Sequence, residues 1–279
     1  MNIPDRQYFP FLESDEQLYH TLEAIRKEIG DYIRQYRLSS LVLGISGGID
    51  SALCAVLLRP VCDDLKISLI GRSISIETNT LDEESRATAI GNTFCHDFQH
   101  LDLTDTFFDF KKHLIRYDNT LLSKLRQGNM KARMRMIMLY DLAQLNKGIV
   151  VSTDNYTEFL TGFWTLHGDV GDYAPIINLW KTEVYRLSAY LLQECDARGK
   201  EALQDCIDAV PVDGLGVSQS DYEQLGVTNY FEADKLFQEY FMNGDQTLED
   251  HPLIQRFKSS AYKRNNPVYI SRSTLINRL

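Results

Sequence analysis

Leu41-Val-Leu-Gly-Ile-Ser-Gly-Gly-Ile-Asp-Ser-Ala-Leu53 is the stretch from which the fold can be read. Leu41 to Ile45 is an apolar run of buried-strand length, and Ile49 to Leu58 reads as a helix. Ser46, Gly47 and Gly48 turn the chain between them. A helix N-terminus presents unpaired N–H groups and a partial positive charge, which makes it a seat for phosphate. Gly47 and Gly48 let the backbone approach an anion, and Ser46 and Ser51 add hydroxyl donors. Asp50 is the informative residue. A carboxylate repels phosphate unless a metal ion lies between them, so the turn points to Mg²⁺-bound nucleotide rather than bare phosphate. The competing reading is a tight strand-to-helix turn that holds nothing.

Outward from this turn, residues 15–36 read as an amphipathic helix with Leu18, Leu22, Ile25, Ile29 and Ile33 on one stripe. Further strands are expected at Ile67 to Ile74, near Phe98 to Leu103, and at Gly148 to Thr153. Helices are expected at 130–146 and from about Trp180 to Glu194. Strands alternating with helices argue for an α/β fold with a doubly wound parallel sheet flanked by helices. Ligands then sit beyond the carboxyl ends of the strands, where both the Ser46 turn and Thr153 fall. The Gly-rich segment 210–221 reads either as a lid or as a connector. No internal repeat and no second-domain boundary is evident, so a single domain over residues 1–279 is expected.

Two more constellations carry chemistry. Gly128-Asn-Met-Lys-Ala-Arg-Met-Arg-Met136 is expected to open a helix, with Arg133 and Arg135 about 200° apart around it, so that they serve different partners. One of them, at the carboxyl edge of the sheet, can bind an anion bidentately; a solvated basic stretch beside a core stripe of Met130, Met134 and Met138 is the plainer alternative. Ser152-Thr-Asp-Asn-Tyr-Thr-Glu158 follows a strand. Thr153 can hydrogen-bond nucleotide there, and Glu158 can give a hard oxygen to Mg²⁺ or act simply as a helix-start acid. Lys181 begins the next helix, where its ammonium can meet polyphosphate charge.

Composition bounds the function. Hydrophobic content of 44% and charged content of 24% suit a globular protein, and no apolar run approaches the ~20 residues that span a bilayer. The N-terminus lacks a basic start followed by an apolar core, so a secretory signal is not expected. The five cysteines form no Cys-x-x-Cys pair and suit free thiols in a reducing cytoplasm, which makes a cytoplasmic protein the expectation. A net charge of −10 argues against a nucleic-acid partner, because backbone binding calls for a broad basic surface. Residues 255–279 are the exception: Arg256, Lys258, Lys263, Arg264, Arg272 and Arg278 stand there with no acid among them. That cluster suits an anionic small molecule, or is a solvated basic tail.

The Ser-Gly-Gly-Ile-Asp-Ser loop lacks the Gly-Lys-Ser/Thr ending of a P-loop and resembles the pyrophosphate loop of the N-type ATP pyrophosphatases. The ordered set Ser46–Ser51, Gly128–Met136, Ser152–Glu158, Thr161–Asp172, Lys181–Tyr185 and Tyr262-Lys-Arg-Asn-Asn-Pro267 resembles ammonia-dependent NAD synthetase over roughly residues 18 to 270. The resemblance implies an adenine nucleotide alpha hydrolase-like fold and ATP-dependent amidation of deamido-NAD through an acyl-adenylate. It implies that Gly44, Ser46, Gly47, Gly48, Ile49, Asp50 and Ser51 hold the ATP phosphates, that Thr153 and Lys181 contact ATP, and that Asp50 and Glu158 bind Mg²⁺. Asp50, Glu158 and Lys181 would then be the catalytic set, and Arg133, Asp172 and Lys263 would contact deamido-NAD. It further implies a homodimer. With no stretch left over for a glutaminase, ammonia is expected from solution or from a separate protein. Four positions depart from the family pattern. Leu166 replaces a usual lysine, the loop from Gly168 to Pro175 is one residue short, Val212 replaces a threonine, and Tyr262 replaces a histidine. These departures keep open a paralogue with another acceptor, and a non-catalytic nucleotide-binding protein remains the third reading.

Overall fold

The computed structural model describes residues 11–77, 79–114, 116–210, 222, 225–264 and 266–276. Four parallel strands form its sheet in the order β3-β2-β1-β4: β1 (Ser40–Gly44), β2 (Ser68–Ser75), β3 (Asp97–Asp102) and β4 (Gly148–Val151). Leu41 pairs with Leu69 on one side and with Ile149 on the other, so β1 is central. The chain leaves β1 toward β2 and β3, then returns to place β4 on the opposite side. That reversal opens a crevice at the carboxyl end of β1, the usual ligand position in such sheets.

Side-chain alternation explains the two helical layers. Leu41, Leu43, Leu69 and Val151 enter one core with α1 (Asp15–Tyr36), α2 (Ile49–Leu65), α3 (Leu81–Phe94), α7 (Lys181–Leu191) and α8 (Ala197–Asp208). Val42, Ile70, Ile74 and Val150 enter the other core with α4 (Thr104–Lys111) and α5 (Leu121–Leu145). Both sheet faces are therefore covered, as the continuous apolar strands require. A third cluster, rich in aromatic rings, joins α6 (Tyr156–Thr161), Trp180, α9 (Tyr230–Met242) and α10 (Pro252–Ser259). Short helices α11 (Ala261–Arg264) and α12 (Arg272–Ile276) follow.

Helix α1 occupies the expected residues, and Ser14 and Gln17 close a capping box at its start. Strand boundaries fall within two residues of expectation. Two helices differ. The apolar segment expected to end at Leu58 continues through Pro60 to Leu65. Helix α5 starts at Leu121, not at Gly128, which is buried inside it. Thr120 caps α5 through Ser123 N at 3.3 Å, and Asp118 accepts from the Ser123 hydroxyl at 2.5 Å. The alternative of a core stripe at Met130, Met134 and Met138 is met in part: Met134 is buried and Met130 packs against the same core, whereas Met138 is exposed. Residues 211–221 of the expected lid, Val212 included, lie outside the described residues.

Candidate active site

The crevice at the end of β1 is a cleft of about 340 Å³. Its floor is the turn from Gly44 into α2. Gly47 adopts φ 83°, and a Cβ there would lie 2.3 Å from Glu83 O, so glycine is required by both conformation and space. Arg86 Nε donates to Gly47 O at 2.9 Å, so α3 braces the turn from behind. Ser46 N donates to Ser51 Oγ at 3.2 Å and the Ser51 hydroxyl donates to Gly48 O at 3.0 Å, folding the loop onto the helix. Gly48, the N-cap of α2, offers no side chain to its first turn. That leaves the helix start as an anion seat.

Asp50 lies in that first turn and meets two elements from across the cleft. Its Oδ1 accepts from Asn155 Nδ2 at 2.8 Å, and its Oδ2 accepts from Lys181 Nζ. Lys181 Nζ also lies 3.2 Å from Glu158 Oε1. Asn155 is fully buried and caps α6: its Oδ1 accepts from Glu158 N at 3.0 Å, and its own N–H donates to Glu158 Oε2 at 3.3 Å. One amide side chain thus orients Asp50 and secures the helix that carries Glu158. Burial, with the neighbouring Asp50 and Asp154 carboxylates, raises the Glu158 pKa against the pull of Lys181. Burial alone would lower the Lys181 pKa, but the Asp50 and Glu158 carboxylates outweigh it and hold the ammonium charged.

Among the described residues no three His, Cys, Asp or Glu side chains converge as a metal cage. Asp50 and Glu158 together present two hard carboxylate donors at one ammonium. That donor set fits Mg²⁺, which keeps several waters and takes substrate phosphate oxygens rather than a complete protein shell.

Beyond the charged end, Ile45, Ile74, Met136, Leu139 and Val151 line an apolar slot between the strand ends and α5. Arg135 stands at its rim, donating to Ile74 O at 2.9 Å and to Asn79 Oδ1 at 3.0 Å. Gly44, Ser46, Gly48, Ile49, Asp50, Thr153, Glu158 and Lys181 all line the cleft, while Gly47 and Ser51 shape the loop from within.

Arg133, Asp172 and Lys263 do not line it. Arg133 holds Leu166 O with Nε at 3.2 Å and Nη2 at 3.1 Å. Lys263 Nζ donates to Gly162 O at 2.7 Å and to Trp164 O. Asp172 is exposed beside β4, accepting from Val150 N at 3.0 Å and from the Tyr140 hydroxyl at 3.2 Å. Of Arg133 and Arg135, Arg135 is the one at the sheet edge. Three of the C-terminal cations, Arg256, Lys263 and Arg264, are also partnered. Arg256 Nε donates to Thr161 O at 3.0 Å and Arg264 Nη1 to Leu160 O at 2.6 Å. With Lys263 they neutralise the carbonyl end of α6, where positive charge is favoured.

Arg135 is one of the two arginines the sequence offers as an anion ligand, although the resemblance assigns that role to Arg133; Asn155, Arg72, Arg86 and Asn79 carry no such expectation, and the last three also line the cleft. Asn155 had a readable signal, since an Asn three residues before a Glu is a capping-box pattern. The others owe their place to packing.

A parallel sheet whose first strand-to-helix turn is a Ser-Gly-Gly anion seat defines a nucleotide-binding protein of the adenine nucleotide alpha hydrolase-like class. The NAD synthase family model matches residues 21–267, and the chain belongs to that family. It is 32% identical over 248 residues to the NH(3)-dependent NAD(+) synthetase of Finegoldia magna, covering 87% of this chain and 92% of that one. Among solved structures, NMN synthetase from Francisella tularensis superposes with a TM-score of 0.73 at 24% identity, covering 91% of this chain and 98% of the other. The NH3-dependent NAD synthetase from Campylobacter jejuni, in complex with nitrate, superposes with a TM-score of 0.70 at 23% identity, covering 91% and 99%. These two structural matches establish the shared fold.

Proposed function

We propose that the protein amidates deamido-NAD with ammonia and ATP, giving NAD, AMP and pyrophosphate. The observation that carries this reading is the Asp50–Lys181–Glu158 constellation, drawn from three separate chain segments to the mouth of the phosphate loop. Family membership and the similarity to ammonia-dependent synthetases support the same chemistry.

A nicotinate carboxylate at neutral pH is a poor electrophile, because its charge repels the attacking amine. In the proposed reaction a carboxylate oxygen attacks the α-phosphorus of ATP, forming an acyl-adenylate and releasing pyrophosphate. Ammonia then adds to the acyl carbon, and AMP departs as the amide forms and a proton is lost. The α2 amides with Ser46 and Ser51 seat the phosphates, Thr153 contacts the nucleotide, and the apolar slot takes the adenine. The Lys181 ammonium counters charge on the departing pyrophosphate. Asp50 and Glu158 are the residues that would hold Mg²⁺, which when bound would supply Lewis-acid charge to the phosphates. No nucleophilic side chain is needed, so placement and electrostatics carry the acceleration.

Arg133, Asp172 and Lys263 are assigned to the acceptor. For Arg133 and Lys263 this means exchanging the backbone carbonyls they now hold for acceptor phosphate. The chain is proposed to act as a single domain, as a homodimer in the cytoplasm, with ammonia taken from solution or from a separate supplying protein. Helix α5 exposes Ile137, Met138, Tyr140 and Leu145, an apolar face suited to a second copy. Among the described residues no helix is long and apolar enough to cross a membrane.

The test is incubation with Mg-ATP, deamido-NAD and ammonium chloride, with NAD, AMP and pyrophosphate quantified. Equal amounts of NAD and AMP are expected. Tight ATP binding without NAD would overturn the acceptor assignment. A second reading, amidation of a different carboxylate such as nicotinate mononucleotide, is kept by Leu166, which departs from the lysine that the resemblance to ammonia-dependent NAD synthetase implies. Replacing deamido-NAD by nicotinate mononucleotide in the same assay separates the two.

A further inference from the structure

Helix α7 presents Lys181 to the cleft, yet its own start is poorly equipped. Its N-cap is Trp180, whose side chain makes no capping hydrogen bond. The first N–H groups of a helix need partners from elsewhere. They find them in two other helices. Lys181 N donates to Thr157 Oγ1 at 2.9 Å, and the Thr157 hydroxyl donates to Asp234 Oδ1 at 2.5 Å. Thr182 N donates to Asp234 Oδ2 at 2.9 Å, and the Thr182 hydroxyl donates to the same oxygen.

Asp234 is fully buried, makes no contact with the cleft, and receives three donors on its two oxygens. A buried carboxylate is a costly way to fill space in an aromatic cluster, and an apolar residue would pack there without that cost. What the carboxyl group provides is two accepting oxygens at a helix N-terminus, kept there although burial pushes its pKa up to about 7. It is supplied by α9 of the third, aromatic cluster, whose Phe237 ring packs 6.4 Å from that of Trp180. One turn before Asp234 on the same face of α9, the Tyr230 ring lies 5.2 Å from Lys181 Nζ. Thr157 in turn is the residue before Glu158. A single carboxylate therefore joins the helix start that carries Lys181 to the helix that carries Glu158.

We propose that Asp234 is a positioning residue, a cap supplied from another helix that sets Lys181 where its ammonium can grip the β- and γ-phosphates of ATP and sets Glu158 where it would hold the Mg²⁺ that accompanies them. The proposal rests on the reading of the cleft as an ATP site, but not on the identity of the acceptor. It predicts a split between ligands, because AMP lacks the phosphates concerned and a general loosening of the fold would weaken both.

The experiment is equilibrium binding of Mg-ATP and of AMP by calorimetry, beside kcat and KM, for the wild type, Asp234→Asn, Thr157→Val and Thr157→Ser. In Asp234→Asn the amide brings a donor to a site that already holds three. ATP affinity is expected to fall at least tenfold while AMP affinity stays within twofold, and kcat to fall more than the KM for the acceptor rises. Thr157→Val cuts one arm of the link without adding a buried donor, so it carries the test where Asp234→Asn does not fold. Thr157→Ser keeps the hydroxyl and should return ATP affinity to within twofold of wild type. ATP and AMP affinities that move together, or that stay within twofold in Asp234→Asn and Thr157→Val alike, would overturn the proposal. A wild-type protein that binds ATP but makes no NAD would remove the acceptor assignment and leave this binding test intact.

Discussion

Replacing Gly47 by alanine tests whether the turn before α2 is the phosphate seat. At φ 83° an L-residue sits in the left-handed region, which costs about 1–2 kcal/mol. The added methyl would lie 2.3 Å from Glu83 O, 3.1 Å from Glu83 C and 3.2 Å from Ala87 N. All three neighbours are backbone atoms of α3, so no rotamer change relieves the clash. A carbon normally approaches a carbonyl oxygen no closer than about 3.3 Å, so the loop or the helix must shift by about 1 Å. A displacement of that size at a reacting centre costs about 100-fold in rate, or about 2.7 kcal/mol. Gly47→Ala should therefore lower kcat/KM for ATP about 100-fold in an NAD-formation assay and lower unfolding stability by about 1–3 kcal/mol. Gly48→Ala is the matched control for stability. Gly48 sits at φ −89°, and its methyl would meet only Ser46 Oγ at 3.4 Å, so stability should stay within about 0.5 kcal/mol. A Gly47→Ala protein with wild-type kcat/KM would refute the placement of ATP phosphate against this turn, whatever its melting temperature.

Asp50→Asn keeps the shape at the start of α2 but removes a proposed Mg²⁺ ligand, so turnover should fall by at least about 100-fold in a protein that still folds, with Tm lowered by the loss of one of the two carboxylates that pair with buried Lys181. Full activity across a magnesium titration would dismiss the metal assignment. Burial pushes Asp154 up to about 7, against the hydrogen bond from Ser152 and with help from the Asp169 and Asp50 charges. The folded chain then binds a proton that the unfolded chain, with its carboxyl near 4, does not, so this group's contribution to stability falls as pH rises between about 4 and 7. Asp154→Asn should thus raise Tm more at pH 8 than at pH 5, and equal shifts at both would contradict the argument. Ile137→Glu places a charge on the exposed apolar face of α5 and should convert a dimer to monomer in sedimentation velocity, with the monomer still folded; an unchanged dimer would move the interface elsewhere.

The parts of the structure set by local pattern were legible in sequence. The turn at Gly47, the amphipathic stripe of α1 and the buried strands each have a short-range signal, and each appears within a residue or two of its expected place. The start of α5 was not legible, because Leu121 and Leu122 are exposed and break the apolar rhythm that marks a helix. Within the site, Asp50, Glu158 and Lys181 were each visible as chemistry, but their meeting depends on α2, α6 and α7 converging. The C-terminal cations show the limit most clearly. Arg256, Lys263 and Arg264 read as an anion site because their charge is local, whereas the carbonyls at the end of α6 that they hold lie far away in sequence. Which backbone oxygens lack partners is a property of the folded chain, not of composition.

The position of β4 beside β1 has a consequence for when the protein becomes a binder during synthesis. β1 and β4 are neighbours in the sheet, yet β2, β3 and their helices are made between them. A chain still emerging from the ribosome with β3 complete already contains Gly47 and Asp50, but it lacks Thr153, Glu158 and Lys181. Asp50 then has neither the ammonium nor the amide that meet it in the finished fold. Closing so distant a pair of strands is slow compared with local helix formation. Nucleotide therefore cannot template the early half of the sheet. With ATP at the proposed site, it stabilises the molecule only once Lys181 has docked, which makes ATP a late lock on a fold that must first assemble without it.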